Sequence, residues 1–229
     1  MDRPHPLFDP DWYRLRYPEV AAAGHDPLVH YLTSGDAADY WPHPLFDPSH
    51  YGSQFPELPC RDGARLAHYF ESGGREGASP HVLFHGAWYL EQHPELAESG
   101  RNPLWHYVNE GEAKGDWPNR LFDPAFYASS LLDVGGWSSC LAHYIHEGAH
   151  EKRWPNALFD PDWYAERYPD AASSDFDSLT HYFKLGDRAG YFPHPLFNPA
   201  HYGNQHAGLR TEGGARLFHF LCDTHSLAS

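Results

Sequence analysis

The chain has 229 residues and a formal net charge of −15, since 31 acidic side chains outnumber 16 Lys and Arg. This balance excludes nucleic acid as an expected partner, because the phosphate backbone needs a basic face, and it argues against binding to an anionic membrane surface. Hydrophobic residues make up 41% of the chain and aromatic residues 16%, so we expect a core that is rich in Tyr, Trp and Phe.

Cysteine usage and the N-terminus bear on the cellular setting. Cys60, Cys140 and Cys222 form no Cys-x-x-Cys motif, which predicts neither a metal cluster nor a disulfide framework. The first six residues lack an apolar signal region, and no run of about 18 apolar residues occurs. We therefore expect a cytoplasmic protein that does not insert into a membrane.

A Leu-Phe pair recurs with a nearly constant period, at intervals of 38, 38, 38, 37 and 38 residues starting from Leu7. A histidine followed by an aromatic residue keeps the same period, starting from His30. Repetition at about 20–50 residues is typical of stacked-repeat proteins, so we predict a single repeat domain over residues 1–229. Its six units cover approximately residues 5–42, 43–80, 81–118, 119–155, 156–193 and 194–229.

Each unit begins with the signature of a helix start. In the first unit Asp9 is suited to cap the free N–H groups, and Pro10 fits the first helical position. Phe8 and Tyr13 have the spacing of a hydrophobic staple, and all six units keep this Phe/Tyr pair. We expect the helix to end, or its last turn to kink, at Pro18.

A second helix start follows in each unit. In the first unit it is Asp26, after which Leu28, Tyr31 and Leu32 form the stripe of an amphipathic helix. Gly35 is expected to take a left-handed position at the C-terminus of this helix. No segment alternates apolar and polar residues like a strand. The sequence therefore predicts an all-α solenoid of six short helical-hairpin repeats, which bury a continuous core only by stacking.

The motifs of the repeat resemble those of a known bacterial family. Leu-Phe-Asp-x-x-x-Tyr, Tyr-Pro-Asp/Glu-Val-Ala and Asp-Pro-Leu-x-His-Tyr-Leu-x-x-Gly are most complete in residues 7–35, and Glu76-Gly77 supplies a later element. The pattern is similar to a tandem repeat found beside glycosyltransferase domains of surface-polysaccharide biosynthesis and in some large secreted, calcium-binding, haemolysin-like proteins. The resemblance covers almost the whole chain and implies an accessory or interaction module. The glycosyltransferase and the Gly-Asp calcium repeat are both missing from the sequence, so neither function carries over.

The recurring histidine is the first candidate for a functional site. On a helical wheel it points away from the apolar stripe in every unit, so it could form a row of imidazoles that binds metal or ligand. The alternative is a hydrogen bond to a cap carboxylate or a carbonyl. Equivalent helices lie at least about 8–10 Å apart, too far for one ion with ligands at about 2 Å, which favours the structural alternative. The candidates are His30, His68, His106, His143, His181 and His219.

The third unit breaks the capping rule, because His85-Gly86 stands where the other units have Asp or Asn. Drift of one repeat explains this, and a functional site is the alternative. His81, His85 and His93 are candidate metal ligands, although their spacing matches no strong ligand motif. We predict no cofactor and leave a divalent metal open.

Aromatic residues before the loop prolines are the third candidate. In a row on one exposed face they would stack on sugar rings, and otherwise they pack between units. These residues are Tyr40, Trp41, Trp117, Trp154, Tyr191 and Phe192.

The common enzyme signatures are absent from the sequence: a Gly-rich phosphate loop, Gly-x-Ser-x-Gly, His-Glu-x-x-His and a dinucleotide fingerprint. We therefore predict a non-catalytic binding or scaffolding module, for protein or glycan, in a bacterial surface-polysaccharide or cell-surface system. Two alternatives stay open. One is a metal-dependent or other enzyme that uses a His/Asp cluster on the repeat surface, and the other is a structural solenoid that assembles with itself.

Overall fold

The computed structural model describes residues 5–131, 136–206, 208–209 and 213–226. The regular elements in these ranges are helices, with isolated β-bridges but no strand, so the all-α prediction is confirmed. The chain divides into two compact units, residues 1–114 and 115–229, with repeats one to three in the first and repeats four to six in the second. Within the described ranges, no helix has the length and apolar character needed to span a membrane.

The first helix of each repeat starts at a side-chain cap. Asp9 has an extended backbone, and its carboxylate accepts hydrogen bonds from the backbone N–H groups of Asp11 and Trp12 at 3.2 and 3.0 Å. The predicted staple also forms, because the rings of Phe8 and Tyr13 lie 5.4 Å apart and the pair recurs in every repeat. The first helices are Pro10–Arg16, Pro48–Gln54, Gly86–Gln92, Pro124–Ser129, Pro161–Arg167 and Pro199–Gln205.

Pro18 ends the first helix as predicted, but it also begins another. Its ring fits the first turn of a short helix, Pro18–Ala22, where a missing N–H costs nothing. Repeats three and five have the same arrangement. Their short helices are Pro94–Ser99 and Pro169–Ala172.

The second helix changes from α to π hydrogen bonding at the His-Tyr pair in repeats one to five. In repeat one, the backbone N–H of Asp36 donates to the carbonyl of Tyr31, five residues earlier, at 2.9 Å. Such π segments are rare and often single turns. The α parts are Pro27–His30, Ala64–His68, Pro103–His106, Cys140–His143 and Ser178–His181, and repeat six has one helix, Ala215–Ser226. The π parts are Tyr31–Gly35, Tyr69–Gly73, Tyr107–Gly111, Tyr144–Gly148 and Tyr182–Gly186, followed in repeats three and five by Glu112–Lys114 and Asp187–Ala189.

The glycine that ends the π part leaves room for a tyrosine. The prediction of a left-handed Gly35 is wrong, because Gly35 has no positive φ. A Cβ on Gly35 would instead lie closer than 3.0 Å to the hydroxyl oxygen of Tyr13, and a Cβ on Gly73 would meet the hydroxyl of Tyr51 in the same way. The first helix therefore approaches the second so closely that only glycine fits at this position.

In four repeats, the capping residue of the first helix joins the start of the repeat to its end. The backbone N–H of Asp9 donates to the carbonyl of Pro42, the last residue of repeat one, at 2.9 Å. The bond satisfies a backbone donor that the helix itself cannot use. The equivalent bonds are Asp47 to Pro80, Asp123 to Pro155 and Asp160 to Pro193.

A buried ion pair also joins repeats one and two. Arg65 Nε donates to Asp36 Oδ1 at 2.8 Å, and its Nη1 donates to Asp39 Oδ1 at 2.6 Å and to the carbonyl of Pro48 at 3.1 Å. Nη2 donates to the carbonyl of Asp36. The side chains of Arg65 and Asp36 are 3% and 0% exposed. Removal of one partner would leave the other charge buried, which is the costly way to break such a pair.

The close approach in repeat two predicts that Gly73→Ala destabilises the protein. The added methyl group meets the Tyr51 hydroxyl, and overpacking of this kind costs about 1–3 kcal/mol. Urea unfolding measures the loss. Gly52→Ala is the matched control in the same repeat, because the atom nearest to its added Cβ is Cδ of Arg65, at 3.3 Å. An equal loss of unfolding free energy in the two variants would show that the Tyr51 hydroxyl does not require a glycine at position 73.

The buried pair predicts that Arg65→Met lowers the free energy of unfolding by about 3–5 kcal/mol, since Asp36 stays buried without its cation. Arg14→Met is the control: its partner Asp11 is 90% exposed, and such surface pairs contribute at most about 1 kcal/mol. Denaturant titrations of both variants give the comparison. A loss at Arg65 no larger than that at Arg14 would contradict the role assigned to the buried pair.

Candidate functional site

The recurring histidine is hydrogen-bonded inside its own repeat. The hydroxyl of the buried tyrosine in the first helix lies 2.6–2.9 Å from Nδ1 of the histidine in the second helix, in all six repeats. The partner is thus a tyrosine and not the expected cap carboxylate or carbonyl. The pairs are Tyr13–His30, Tyr51–His68, Tyr89–His106, Tyr127–His143, Tyr164–His181 and Tyr202–His219.

Burial keeps these tyrosine hydroxyls in the neutral form. It raises the pKa of Tyr13, Tyr51, Tyr127 and Tyr164 far above the usual value, and it raises the pKa of Tyr202 to about 12. A neutral hydroxyl can donate to Nδ1 of an imidazole whose own proton is on Nε2, and we expect this direction in repeats one, two, four and five. In repeat six, Tyr202 donates to Asp223 Oδ2 at 3.2 Å. Each neutral hydroxyl is held in a hydrogen bond between the two helices of its own repeat.

The histidines do not form the exposed row that a helical wheel suggests. His106, His143 and His181 are buried, and His30, His68 and His219 are half-buried. The second helix is in fact covered on two sides, since its leucine faces the core while its histidine faces the first helix of the same repeat. A helical wheel drawn around the apolar leucine stripe identifies only the first of these two buried sides.

Acidic groups lie near the other ring nitrogen in three repeats. The distances from histidine Nε2 to a carboxylate oxygen are 3.7 Å for His106 and Glu110, 3.5 Å for His143 and Glu147, and 3.5 Å for His181 and Asp170. These distances are too long for hydrogen bonds, but the negative charge favours the Nε2–H form. In repeat six the acid differs, because Asp223 Oδ2 lies 3.1 Å from Nδ1 of His219.

The loop tyrosines stack inside their own repeats. Tyr40 lies on Tyr17 with ring centroids 4.1 Å apart, and Tyr191 lies on Tyr168 at 3.9 Å with an angle of 3° between the planes. The hydroxyl of Tyr168 accepts the backbone N–H of Phe192 at 2.7 Å, and Tyr17 accepts that of Trp41 at the same distance. These loop residues hold the end of one repeat against its start.

The three loop tryptophans each contact another ring. Trp41 lies 5.5 Å from His81, Trp117 lies 5.4 Å from Phe218, and Trp154 lies 5.5 Å from His194. Trp41 and Trp117 are half-buried, as are Tyr191 and Phe192, and Trp154 is 36% exposed. The rings therefore do not line an exposed face, which leaves Trp154 as the loop candidate with the most accessible ring.

Two of the three candidate metal ligands bind backbone groups. His85 Nδ1 accepts the N–H of Trp88 at 3.2 Å, so this histidine caps the third first helix in place of Asp. His81 Nδ1 accepts the N–H of Leu83 at 3.1 Å. His93 is placed differently, beside His106, with ring centroids 5.1 Å apart. His85 therefore caps this helix in the way that Asp or Asn caps the first helix of the other repeats.

A side-chain turn before each Leu-Phe pair was missed by sequence reasoning. The residue two positions before the leucine is His or Asn, and its side chain accepts the leucine N–H, for example at 3.0 Å between His43 Nδ1 and Leu45. Asn and His share an acceptor at the same distance from the backbone, and this signal could have identified the turn. The six residues are His5, His43, His81, Asn119, Asn156 and His194.

No protein-family model, curated protein or solved structure matches this chain.

The buried hydroxyls predict cooperative alkaline unfolding. Unfolded tyrosines titrate near pH 10, roughly, and the folded pKa values lie higher, so stability is retained below that pH and is lost as the pH rises toward the folded values. Tyrosinate absorbance and the loss of helical circular dichroism should change in one step. Tyrosinate formation near its ordinary pH, with the helices intact, would show that the hydroxyls are accessible.

Proposed function

We propose that the chain is a non-catalytic scaffolding module that binds protein, built as a solenoid of six hairpins. Its assignment to bacterial surface-polysaccharide or cell-surface systems rests on the resemblance of the repeat. Support for a non-catalytic role comes from the recurring histidines and tyrosines, whose hydrogen-bonding groups are used in folding each repeat.

The main support for a protein partner is a surface that is covered in the early repeats and open in the last two. The leucine of the Leu-Phe pair is at most 1% exposed at Leu7, Leu45, Leu83 and Leu121. Its equivalents are half-buried at Leu158 in repeat five and 81% exposed at Leu196 in repeat six. A large exposed aliphatic side chain at a position built for burial is typical of an interaction surface.

Repeat four shows what covers this surface. Gly214 at the start of the second helix of repeat six lies against Leu121, and Phe218 in the same helix packs on Trp117 at 5.4 Å. The cover is thus another repeat, two positions further along the chain. The equivalent pair consists of Trp154, at the end of repeat four, and Leu158 in repeat five, and a further repeat would cover it.

A second copy of the chain supplies such a repeat. Repeat one exposes Val29, at the position that Phe218 has in repeat six, and this side chain is 58% exposed. Head-to-tail association would set Val29 of one copy against Trp154 of the next, and would cover Leu158 and Leu196. Such a contact joins two different surfaces, so it continues into a chain or closes into a ring.

Protein is favoured over glycan as the partner because the exposed groups are aliphatic. Sugar binding by stacked rings needs a row of accessible aromatics, and the loop aromatics other than Trp154 are half-buried. Leu196 and Val29 offer no polar group for sugar hydroxyls.

The proposal predicts concentration-dependent association of the purified chain, measured by sedimentation velocity across a dilution series. Leu196→Glu should weaken this association at least about tenfold, because a charge would be buried in the interface. Leu185→Glu is the matched control: Leu185 is 54% exposed, and the equivalent positions in other repeats are polar, including Ser34, Ser72, Glu110 and Glu147.

Two results would overturn the proposal. One is a monomer at every concentration, which would show that the exposed Leu158 and Leu196 surface does not bind a second copy of the chain. The other is an equal effect of the two variants, which would show that any added charge weakens association. Circular dichroism of both variants confirms that the helices are retained.

A further inference from the structure

A histidine connects two residues of the open surface at the end of the chain. Nδ1 of His194 accepts the backbone N–H of Leu196 at 3.1 Å, and the ring of His194 lies 5.5 Å from that of Trp154 in an edge-to-face arrangement. His194 is half-buried, while Leu196 is 81% exposed. A change in the charge of His194 would therefore act directly on the surface that we assign to a second copy of the chain.

The turn before Leu196 needs the neutral form of the imidazole. A ring nitrogen accepts a hydrogen bond only while it carries no proton, so protonation of Nδ1 removes the acceptor of the Leu196 N–H. Repeats four and five have asparagine at the position of His194, and an amide oxygen accepts the equivalent N–H without titrating. The bonds are from Leu121 to Asn119 at 2.7 Å and from Leu158 to Asn156 at 2.9 Å. The same turn thus exists in an acid-sensitive and an acid-insensitive form.

Repeat three shows the histidine form of the turn when its leucine is covered. His81 Nδ1 accepts the N–H of Leu83 at 3.1 Å, and the ring of His81 lies 5.5 Å from that of Trp41. Here the histidine is 7% exposed and the leucine 1% exposed. Burial disfavours the charged form of an imidazole, so covering Leu196 in the same way would favour neutral His194.

Within the described ranges, no carboxylate forms an ion pair with His194. The charged and titratable groups on the neighbouring segments are Lys152 and Arg153, which pair with Asp162 and Glu151, and His201 in the first helix of repeat six. On the second copy, His25 and Asp26 precede Val29, and the Asp26 carboxylate already accepts the Val29 N–H at 3.0 Å. A protonated His194 would therefore carry its charge into the interface without an acid of its own chain.

We propose that His194 makes the head-to-tail association sensitive to acid. Neutral His194 holds the Leu196 turn in the form that a second copy covers, and protonated His194 opposes the contact. This inference rests on the proposed association of the chain with itself.

The sign of the pH dependence follows from proton linkage. Association favours the form of His194 that binds fewer protons, so it is retained above the range in which histidines titrate, roughly pH 5–8, and is lost as the pH falls through that range. The net charge of −15 predicts the opposite trend, because neutralising carboxylates in acid reduces the repulsion between copies. Weaker association in acid therefore distinguishes the histidine from the overall charge.

Sedimentation velocity of the full chain at about pH 7.5 and about pH 5.5 tests the inference. We expect the Kd of association of the wild type to rise at least about tenfold at the lower pH. His194→Asn keeps the acceptor, as Asn156 does in repeat five, so it should associate like the wild type at the higher pH and should not weaken in acid.

His43→Asn is the matched control. It makes the same replacement at the equivalent turn of repeat two, where Leu45 is 0% exposed, so it should keep the acid sensitivity of the wild type. Circular dichroism at both pH values reports whether the helices are retained. Loss of the helices in acid, in the wild type and in His194→Asn alike, would overturn the inference by assigning the effect to unfolding.

The remaining outcomes separate this inference from the proposed association. If the wild type associates equally at both pH values, or if His194→Asn weakens in acid as much as the wild type, the inference is overturned and the association stands. Loss of acid sensitivity in both variants also overturns it, since that result indicates histidines in general and not the turn of repeat six. A monomer at both pH values overturns the association and the inference together.

Discussion

A hydrogen bond between a tyrosine hydroxyl and histidine Nδ1 joins the two helices of each hairpin and sets the spacing on which the rest of the repeat depends. Tyr51 reaches His68 at 2.6 Å, and Gly73 leaves the space for its hydroxyl. Because a buried hydroxyl and a buried imidazole nitrogen are costly without partners, each satisfies the other. The glycine, the histidine and the first-helix tyrosine therefore form one unit, and a change to any of them disturbs the other two.

This hydrogen bond also gives a structural role to many of the potentially reactive side chains in the sequence. Nineteen histidines and fifteen tyrosines suggest a reactive surface, but the recurring ones are used inside the hairpin. The features that remain are irregular ones: the exposed Leu196 and the open Trp154. Each is a departure from the repeat rule that folding does not explain, and such departures are where function is expected.

The sequence predicted those parts of the fold that depend on neighbouring residues. The Asp9 cap, the start at Pro10 and the contact of Phe8 with Tyr13 follow from local chemistry and were all found. The role of Gly35 was not predicted, because the tyrosine that excludes a Cβ is twenty-two residues away in the chain. Tertiary packing, which no local pattern encodes, explains both the need for glycine at position 35 and the burial of His181.

In repeats one, two, four and five, histidine Nδ1 is expected to accept the hydrogen bond of the tyrosine hydroxyl. Nuclear magnetic resonance of ¹⁵N-labelled side chains, on metal-free protein at neutral pH, reports the tautomer of each imidazole directly. We expect His30, His68, His143 and His181 to be fixed in the Nε2–H form with an accepting Nδ1. Mixed tautomers in fast exchange, as in solvent-exposed histidines, would show that the tyrosine–histidine bond does not hold the repeat together.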